Sequence, residues 1–364
     1  MEYGLLSSEE PNEHVDESRS ATLAGSTEER RKRRAEAIDR LLAEFAPSEN
    51  GDLLSQMIVT ICRLAADGAD RGDLKILNTA IKELRYAFKV FAPYVDIPKV
   101  TIFGSARTAE GHPHYEEARK FADLIQKHGW MVITGAGDGI MRAGHHGATR
   151  QRSFGVAISL PFEQATNNII VDDPKLVNFK YFFTRKLMFI KEAEAIVLFP
   201  GGYGTQDEGF EALTLVQTAK TLPIPIVMCD APGGTYWQHW ADYVRKELLA
   251  NKMVDPTDLD LFRICDRAED VVEELLRFYR RYHSMRYVED RLVLRLNSPL
   301  GPGTLSQINA RFADILSEGR IEQTTGPIEG ENGLYTEKTR LVMVFDRRST
   351  GRLRILIDAI NDAP

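Results

Sequence analysis

Three cysteines in 364 residues, Cys62, Cys229 and Cys265, are odd in number and far apart. That excludes a disulfide scaffold and matches no zinc or redox spacing, so buried structural thiols in a reducing compartment are expected. Long apolar runs are missing too. No window approaches the roughly eighteen apolar residues of a membrane-spanning helix. The start, MEYGLLSSEEPNEHVDE, lacks the basic-then-apolar layout of a signal peptide, so a cytoplasmic protein is expected. Positive charge is in short supply: 46 Lys and Arg against 53 Asp and Glu give a net charge of -7. No overall field draws in nucleic acid or an anionic membrane, which leaves a small anion held by a local cationic pocket. Metal patterns are absent as well, since His145 and His146 are neighbours and no HExxH occurs. His112 and His114, in a loop, are expected at the surface. What is present is ordinary for a soluble globular protein, 43% hydrophobic and 27% charged, with length for two or three domains.

Residues 1–25 are polar and acidic and cannot bury enough apolar surface to offset the entropy of ordering, so they are expected to be a disordered tail. Ser26 and Glu29 form a capping-box pattern that predicts a helix start, followed by Ala37, Leu41, Leu42 and Phe45 at helical spacing. The basic run Arg30–Arg34 reads as a solvated face. With two more periodic segments, 52–66 and 74–91, residues 26–97 read as a helical unit. From Val100 the pattern changes to apolar run, glycine turn and amphipathic helix, repeated. VTIFGSA, WMVITGAGDG, SFGVAISLP, EAIVLFPGG and PIPIVMCD read as buried strands. The segments 115–128, 140–149, 181–193, 210–220 and 236–249 read as helices. This alternation predicts an α/β fold, a Rossmann-like doubly wound parallel sheet over 98–284 with ligands at the carboxyl ends of the strands. A helix over 270–283 should pack at the sheet edge. A small C-terminal α/β unit, 285–364, should hold a strand 286–297, a helix 304–316, a mobile loop 324–338, a strand 340–346 and a helix 353–360.

The strongest local signal is PGGYGTQDE, Pro200–Glu208, between a strand and a helix. Such a turn gathers backbone N–H groups at the positive end of a helix dipole, a nest for phosphate. Gly201, Gly202 and Gly204 permit the turns, Thr205 adds a hydroxyl, and Glu208 lies one turn into the helix. Upstream, Arg185 and Lys186 sit in the apolar segment YFFTRKLMF. Their side chains project about 100° apart on a helix, so one faces the site. A buried Arg needs an anion, either Glu208 or a ligand phosphate. Two further glycine loops fall at strand ends: FGSAR offers Ser105 and Arg107, and TGAGDGIMRAG reads GxGxG rather than GxGxxG, so it does not support hydride transfer.

Together these residues resemble the LONELY GUY (LOG) family of cytokinin riboside 5′-monophosphate phosphoribohydrolases, often labelled lysine decarboxylases. The motif PGGxGTxxE is met in full by Pro200–Glu208, and the Arg-Lys pair by Arg185 and Lys186. The likeness runs from about Lys99 to Asp230. LPFEQ, YFFTRKLMF and DEGFEALTLVQT are similar to the longer bacterial branch that includes nucleotide 5′-monophosphate nucleosidases. GAGDGIM replaces the commoner GGGxxGIM, which puts a methyl at Ala136. The resemblance implies hydrolysis of the N-glycosidic bond of a nucleoside 5′-monophosphate to free base and ribose 5-phosphate, without a cofactor or metal. It implies Arg185 and Glu208 as catalytic residues. Substrate contacts fall to Ser105, Gly137, Gly139, Lys186, Gly201, Gly202, Tyr203, Gly204, Thr205 and Thr214, with Glu163 and Asn167 placed for base or ribose. A homodimer or larger assembly is implied, through the helices at 181–193 and 206–220, with no nucleic-acid or membrane partner.

Two other readings remain. A non-catalytic nucleotide or pterin-type cofactor carrier would use the same nest, although pure binding gains nothing from an acid beside a phosphate. A DNA-loading protein is disfavoured by the charge and by the lack of a basic, aromatic-interleaved stripe. The C-terminal unit is an expected effector-binding or oligomerisation module.

Overall fold

The structure is a computed structural model that describes residues 21–45, 49–159, 166–331 and 333–364, with the backbone alone at 21–28, 30 and 45. Two compact units divide the described residues, one ending at Ile81 and one running from Lys82 to Pro364. In the first, α1 (Ala21–Phe45) and α2 (Gly51–Ala66) precede α3 (Arg71–Phe91), which runs on into the second. The start of α1 at Ala21 corrects the capping-box reading at Ser26 and moves residues 21–25 from the expected tail into helix; residues 1–20 lie outside the described set. α2 buries none of its residues, and Cys62 on it is exposed, contrary to the expected buried thiol.

The second unit is built on a seven-stranded, all-parallel sheet. β1 (Lys99–Phe103), α4 (Pro113–Lys127), β2 (Met131–Thr134), α5 (Ile140–Ala148), β3 (Ser153–Ile158) and β4 (Leu176–Phe179) come first. They are followed by α6 (Phe182–Lys191), β5 (Ala195–Leu198), α7 (Tyr203–Gln217), β6 (Ile226–Cys229), α8 (Tyr236–Tyr243), β7 (Phe262–Cys265) and α9 (Ala268–Phe278). Every residue of β1, β2, β5 and β6 is buried, which is why these strands read as unbroken apolar runs. Alternate side chains feed two cores. Val100, Ile102, Val132 and Val197 pack with α4, α5 and α9. Ile133, Ile196, Leu198 and Met228 pack with α6, α7 and the end of α3, where Phe91 stacks on Phe154 at 4.2 Å. The strand order β4-β3-β2-β1-β5-β6-β7 reverses direction between β1 and β5. That is the switch point at which an open α/β sheet leaves a crevice for ligand.

The second sheet corrects the reading of the C-terminal part. The helix expected to reach residue 283 stops at Phe278, because Asn361 accepts N–H bonds from Arg281 and Tyr282 at 2.8 and 2.9 Å and starts a strand there. The strand expected over 286–297 is a hairpin, β8 (Tyr282–Val288) and β9 (Arg291–Leu296), turned at Glu289 with φ +57°. α10 (Pro302–Arg311) ends before the expected residue 316, where β10 (Leu316–Thr325) begins. β11 (Thr339–Phe345) and α11 (Thr350–Asp362) complete an antiparallel sheet of order β10-β11-β9-β8 over its own apolar core. Ion pairs from Arg354 to Glu274 and from Arg277 to Asp358 join α11 to α9, so the two sheets share one compact unit.

Candidate active site

Three loops meet at the switch point, those following β1, β2 and β5, and they enclose a cavity of about 1100 Å³. Each loop was legible as a glycine turn, and the structure brings all three together. The Ser105 N–H donates to the Pro200 carbonyl at 3.1 Å and the Ile140 N–H to the Ser105 carbonyl at 3.0 Å, which stitches the first loop to both others. Gly139 belongs to that stitching. At φ +62°, with a Cβ that would sit 2.2 Å from the Ser105 carbonyl oxygen, it is required by close approach and does not line the cavity, which corrects its expected role in substrate binding. Gly137, Ser105, Gly201, Gly202, Tyr203, Gly204 and Thr205 do line it.

α7 begins at Tyr203 with Gly202 as its N-cap. Its first bonded amides are those of Thr205 and Gln206, both to the Gly202 carbonyl, which leaves the N–H groups ahead of them for a ligand. Tyr236 fixes the turn by donating to the Gly201 carbonyl at 2.5 Å while accepting from Gln206 at 2.6 Å. That buttress has no local signal, since Tyr236 lies in another helix.

Arg185 and Glu208 both line the cavity. Arg185 donates from Nε to the Val156 carbonyl at 2.9 Å and stacks its guanidinium on Phe189 at 5.0 Å. It lies so close over Gly135 that a Cβ there would be 2.4 Å from Nη2. Burial pulls its pKa down to about 10 against the raising effect of Glu208. Glu208 is 7% exposed, and burial pushes its carboxyl up to about 7; Lys186 opposes the rise, Glu211 adds to it and Arg185 opposes it. Its Oε2 is 3.3 Å from Lys186 Nζ and takes no hydrogen bond from any described residue.

Lys186 thus supplies the ion pair expected of Arg185. It also pairs with Glu211 at 2.6 Å and Asp207 at 2.9 Å. Although burial opposes it, these carboxylates hold the Lys186 pKa above its usual value. Lys186 does not line the cavity, so its expected contact with substrate is replaced by one with the carboxylates of α7. Nor is α6 largely buried: Phe182, Phe183 and Leu187 are 53%, 55% and 41% exposed. Its N-terminal turn is held by Glu83 of α3, which accepts from the Lys180 N–H at 2.6 Å and the Thr184 hydroxyl at 2.7 Å.

Thr214 is exposed about three turns along α7, away from the cavity, which corrects its assignment as a contact. Asn167 is buried and acts on the protein instead of a ligand. Its amide donates to the carbonyls of Ala136 and Gly137 at 3.0 and 2.9 Å and meets His145, whose imidazole burial brings down to about 4. These bonds hold Ala136 at φ +63°, a left-handed conformation that costs a residue with a Cβ about 1 kcal/mol. His114 is also tied down, 3.0 Å from Asp230, not free at the surface. Glu163 lies outside the described residues.

The class this geometry defines is a Rossmann-like α/β protein with a glycine turn at a helix start and with Arg185 and Glu208 lining one cavity at the switch point. Residues 136–275 match the model of the family described as possible lysine decarboxylase, which is the LOG family. No lysine is among the described residues lining the cavity, so the Schiff base that pyridoxal-dependent decarboxylation needs has no partner there. No curated protein matches the chain. Solved structures are similar to about half of the chain. The molybdenum cofactor binding protein of Rippkaea orientalis is 16% identical, with TM-score 0.35, over 49% of this chain and 94% of its own. The molybdenum cofactor carrier protein of Chlamydomonas reinhardtii is 19% identical, with TM-score 0.35, over 50% and 98%. DNA processing protein A of Helicobacter pylori is 15% identical, with TM-score 0.34, over 50% and 82%. Among the described residues no helix is long and apolar enough to cross a membrane, and no group of His, Cys, Asp and Glu could hold a metal.

Proposed function

We propose that the protein hydrolyses the N-glycosidic bond of a nucleoside 5′-monophosphate, releasing the free base and ribose 5-phosphate. The observation that carries this reading is the carboxyl of Glu208, buried, raised to about 7 and one helical turn from the amides of the Gly201–Thr205 nest. The nest grips the 5′-phosphate through backbone N–H groups and the start of α7. The C1′–N bond lengthens toward an oxocarbenium-like sugar, whose positive charge the Glu208 carboxylate stabilises. The base leaves with the electron pair of the C1′–N bond, water adds its oxygen to C1′ and gives one proton to Glu208, and the base takes up one proton from solvent, to which Glu208 afterwards returns its own. Arg185, fixed by Val156 and Phe189, positions ligand and carboxylate in the same crevice. A carrier of a nucleotide or cofactor has no use for this acid beside an anion. Free-base release from a panel of nucleoside 5′-monophosphates, run beside the matching nucleosides, tests the proposal. Release from monophosphates alone supports it. Binding without release at any pH moves the assignment to a carrier.

We further propose a homodimer or larger assembly through α6 and α7. Phe182, Phe183, Leu187 and Phe210 are exposed there beside the cavity mouth, where Tyr203 stands 96% exposed. Light scattering should give a mass of two or more chains, and Phe183→Glu should lower it; a monomeric wild type would end the idea. The thiols, none of them in a disulfide, fit a cytoplasmic setting.

A further inference from the structure

A second cavity, of about 510 Å³, lies at the opposite edge of the parallel sheet, where Pro98 leads into β1, Trp130 into β2 and Glu194 into β5. β8 and the end of α9 form its other wall, so it sits between the two sheets of the Lys82–Pro364 unit. Its walls carry the aromatic side chains of Trp130, Tyr279, Tyr282 and Tyr287. We propose that this cavity binds a planar nitrogen heterocycle bearing N–H donors, the class that includes the free nucleobases.

Three polar side chains line the cavity, Glu194, Tyr282 and Trp130. Glu194 accepts the Lys99 N–H on Oε2 at 2.7 Å. The hydroxyl of Tyr282 and the indole N–H of Trp130 bond to no described residue and are not sealed from solvent. By contrast, the Tyr279 hydroxyl is satisfied by the Glu194 carbonyl at 2.6 Å. Polar groups that open onto a cavity can exchange water for the matching groups of a ligand, so the three together favour a polar, aromatic occupant over a purely apolar one. A purely apolar occupant would leave Glu194 unmatched, and the wall carries charges of both signs, Glu194 and Asp96 with Lys220 and Arg286, so it selects no strongly charged occupant. A flat ring with an N–H edge stacks on the aromatic walls, donates to Glu194 and can accept from Trp130 or Tyr282. The volume lies within the range of small-molecule sites. Burial, opposed by Lys99, pushes the Glu194 carboxyl up to about 7, as expected of an acceptor held out of water.

The proposal stands without the reaction proposed above, and its test reads binding alone. Titration calorimetry with adenine, hypoxanthine and cytosine as free bases would be run on wild type, Tyr282→Phe, Glu194→Gln and Glu208→Gln. At least one base should bind with a Kd below about 1 mM. Tyr282→Phe and Glu194→Gln should each weaken it by about fivefold or more, the effect of losing one hydrogen bond, and Glu208→Gln should leave it unchanged. Tyr282→Phe keeps the ring, and Gln at 194 can still accept from Lys99, so the fold is retained in both. No binding of any base, or binding weakened by Glu208→Gln and indifferent to the other two, overturns the proposal.

Discussion

Glu208→Gln is expected to abolish base release while making the protein more heat-stable above neutral pH. Gln keeps the shape of the side chain but carries no charge and takes no proton, so turnover should fall by about 10²–10⁴. The stability change follows from proton linkage. In the folded protein the Glu208 carboxyl titrates near 7, and in the unfolded chain near 4.5, so between these values the native state binds more protons. Wild-type stability therefore declines as pH rises through that window, and above it the buried carboxylate costs at most about 3 kcal/mol, a cost that Gln avoids. Melting temperatures of wild type and variant should coincide near pH 4 and separate by several degrees at pH 8, the variant being higher. Catalysis uses the ionised form, so wild-type kcat/KM should climb as pH rises through about 7. Glu211→Gln should move that limb to lower pH, because Glu211 raises the Glu208 pKa and competes for Lys186. Retained turnover in Glu208→Gln would remove Glu208 from the mechanism, and a rate that falls through pH 7 would make it a proton donor instead.

Much of this site could be read from the chain because a phosphate-type nest needs glycines and a helix start at one strand end, and both are local features. The side on which each cation falls is not local. Arg185 and Lys186 differ by one position, and only the register of α6 against β3 and α7 sends Arg185 into the cavity and Lys186 to Asp207, Glu208 and Glu211. Thr214 was misplaced for a related reason: it shares a helix with Glu208 but lies too far along it to reach the crevice. Among the strands, the β-branched runs at 99–103, 131–134, 195–198 and 226–229 were plain, since both faces are buried. β4, with an exposed Asn178, and β7, with Arg263, are four residues each and give no period. β10 reads LSEGRIEQTT, with Ile321 its only buried residue, so an exposed strand looks like a polar loop. The sequence 279–288 carries tyrosines and arginines that fit a helix as well as a strand, and the long-range bonds to Asn361 decide for the strand.

Glu331→Gln is expected to lower stability more than any surface substitution, because the expected mobile loop 324–338 is anchored by a buried ion cluster. Glu331 and Arg340 have fully buried side chains, and Arg295 is nearly so. Oε1 of Glu331 accepts from Arg295 Nε and Nη2 at 2.9 and 2.7 Å, while Oε2 accepts from Arg340 Nε at 3.1 Å and the Ile328 N–H at 3.1 Å. Arg340 spends its remaining donors on the carbonyls of Leu334, Tyr335 and Lys338, so one guanidinium ties the loop to β11. Gln at 331 would leave two buried guanidinium groups without a counter-charge. Breaking such a cluster from one side costs about 3–5 kcal/mol, or about 10 °C in Tm for a domain of this size. The exposed Arg320–Glu322 pair on β10 is the internal control, and Glu322→Gln should shift Tm by about 2 °C or less. Burial tends to raise the Glu331 pKa, but hydrogen bonds from Arg340 and Arg295 hold it below the usual carboxylate value. Its contribution is therefore present above about pH 4.5 and fades as pH falls through the depressed native pKa, so the difference between wild type and Glu331→Gln should shrink in acid. Equal Tm values for the two proteins at pH 7 would show that the loop is held by its backbone contacts and not by the buried charge.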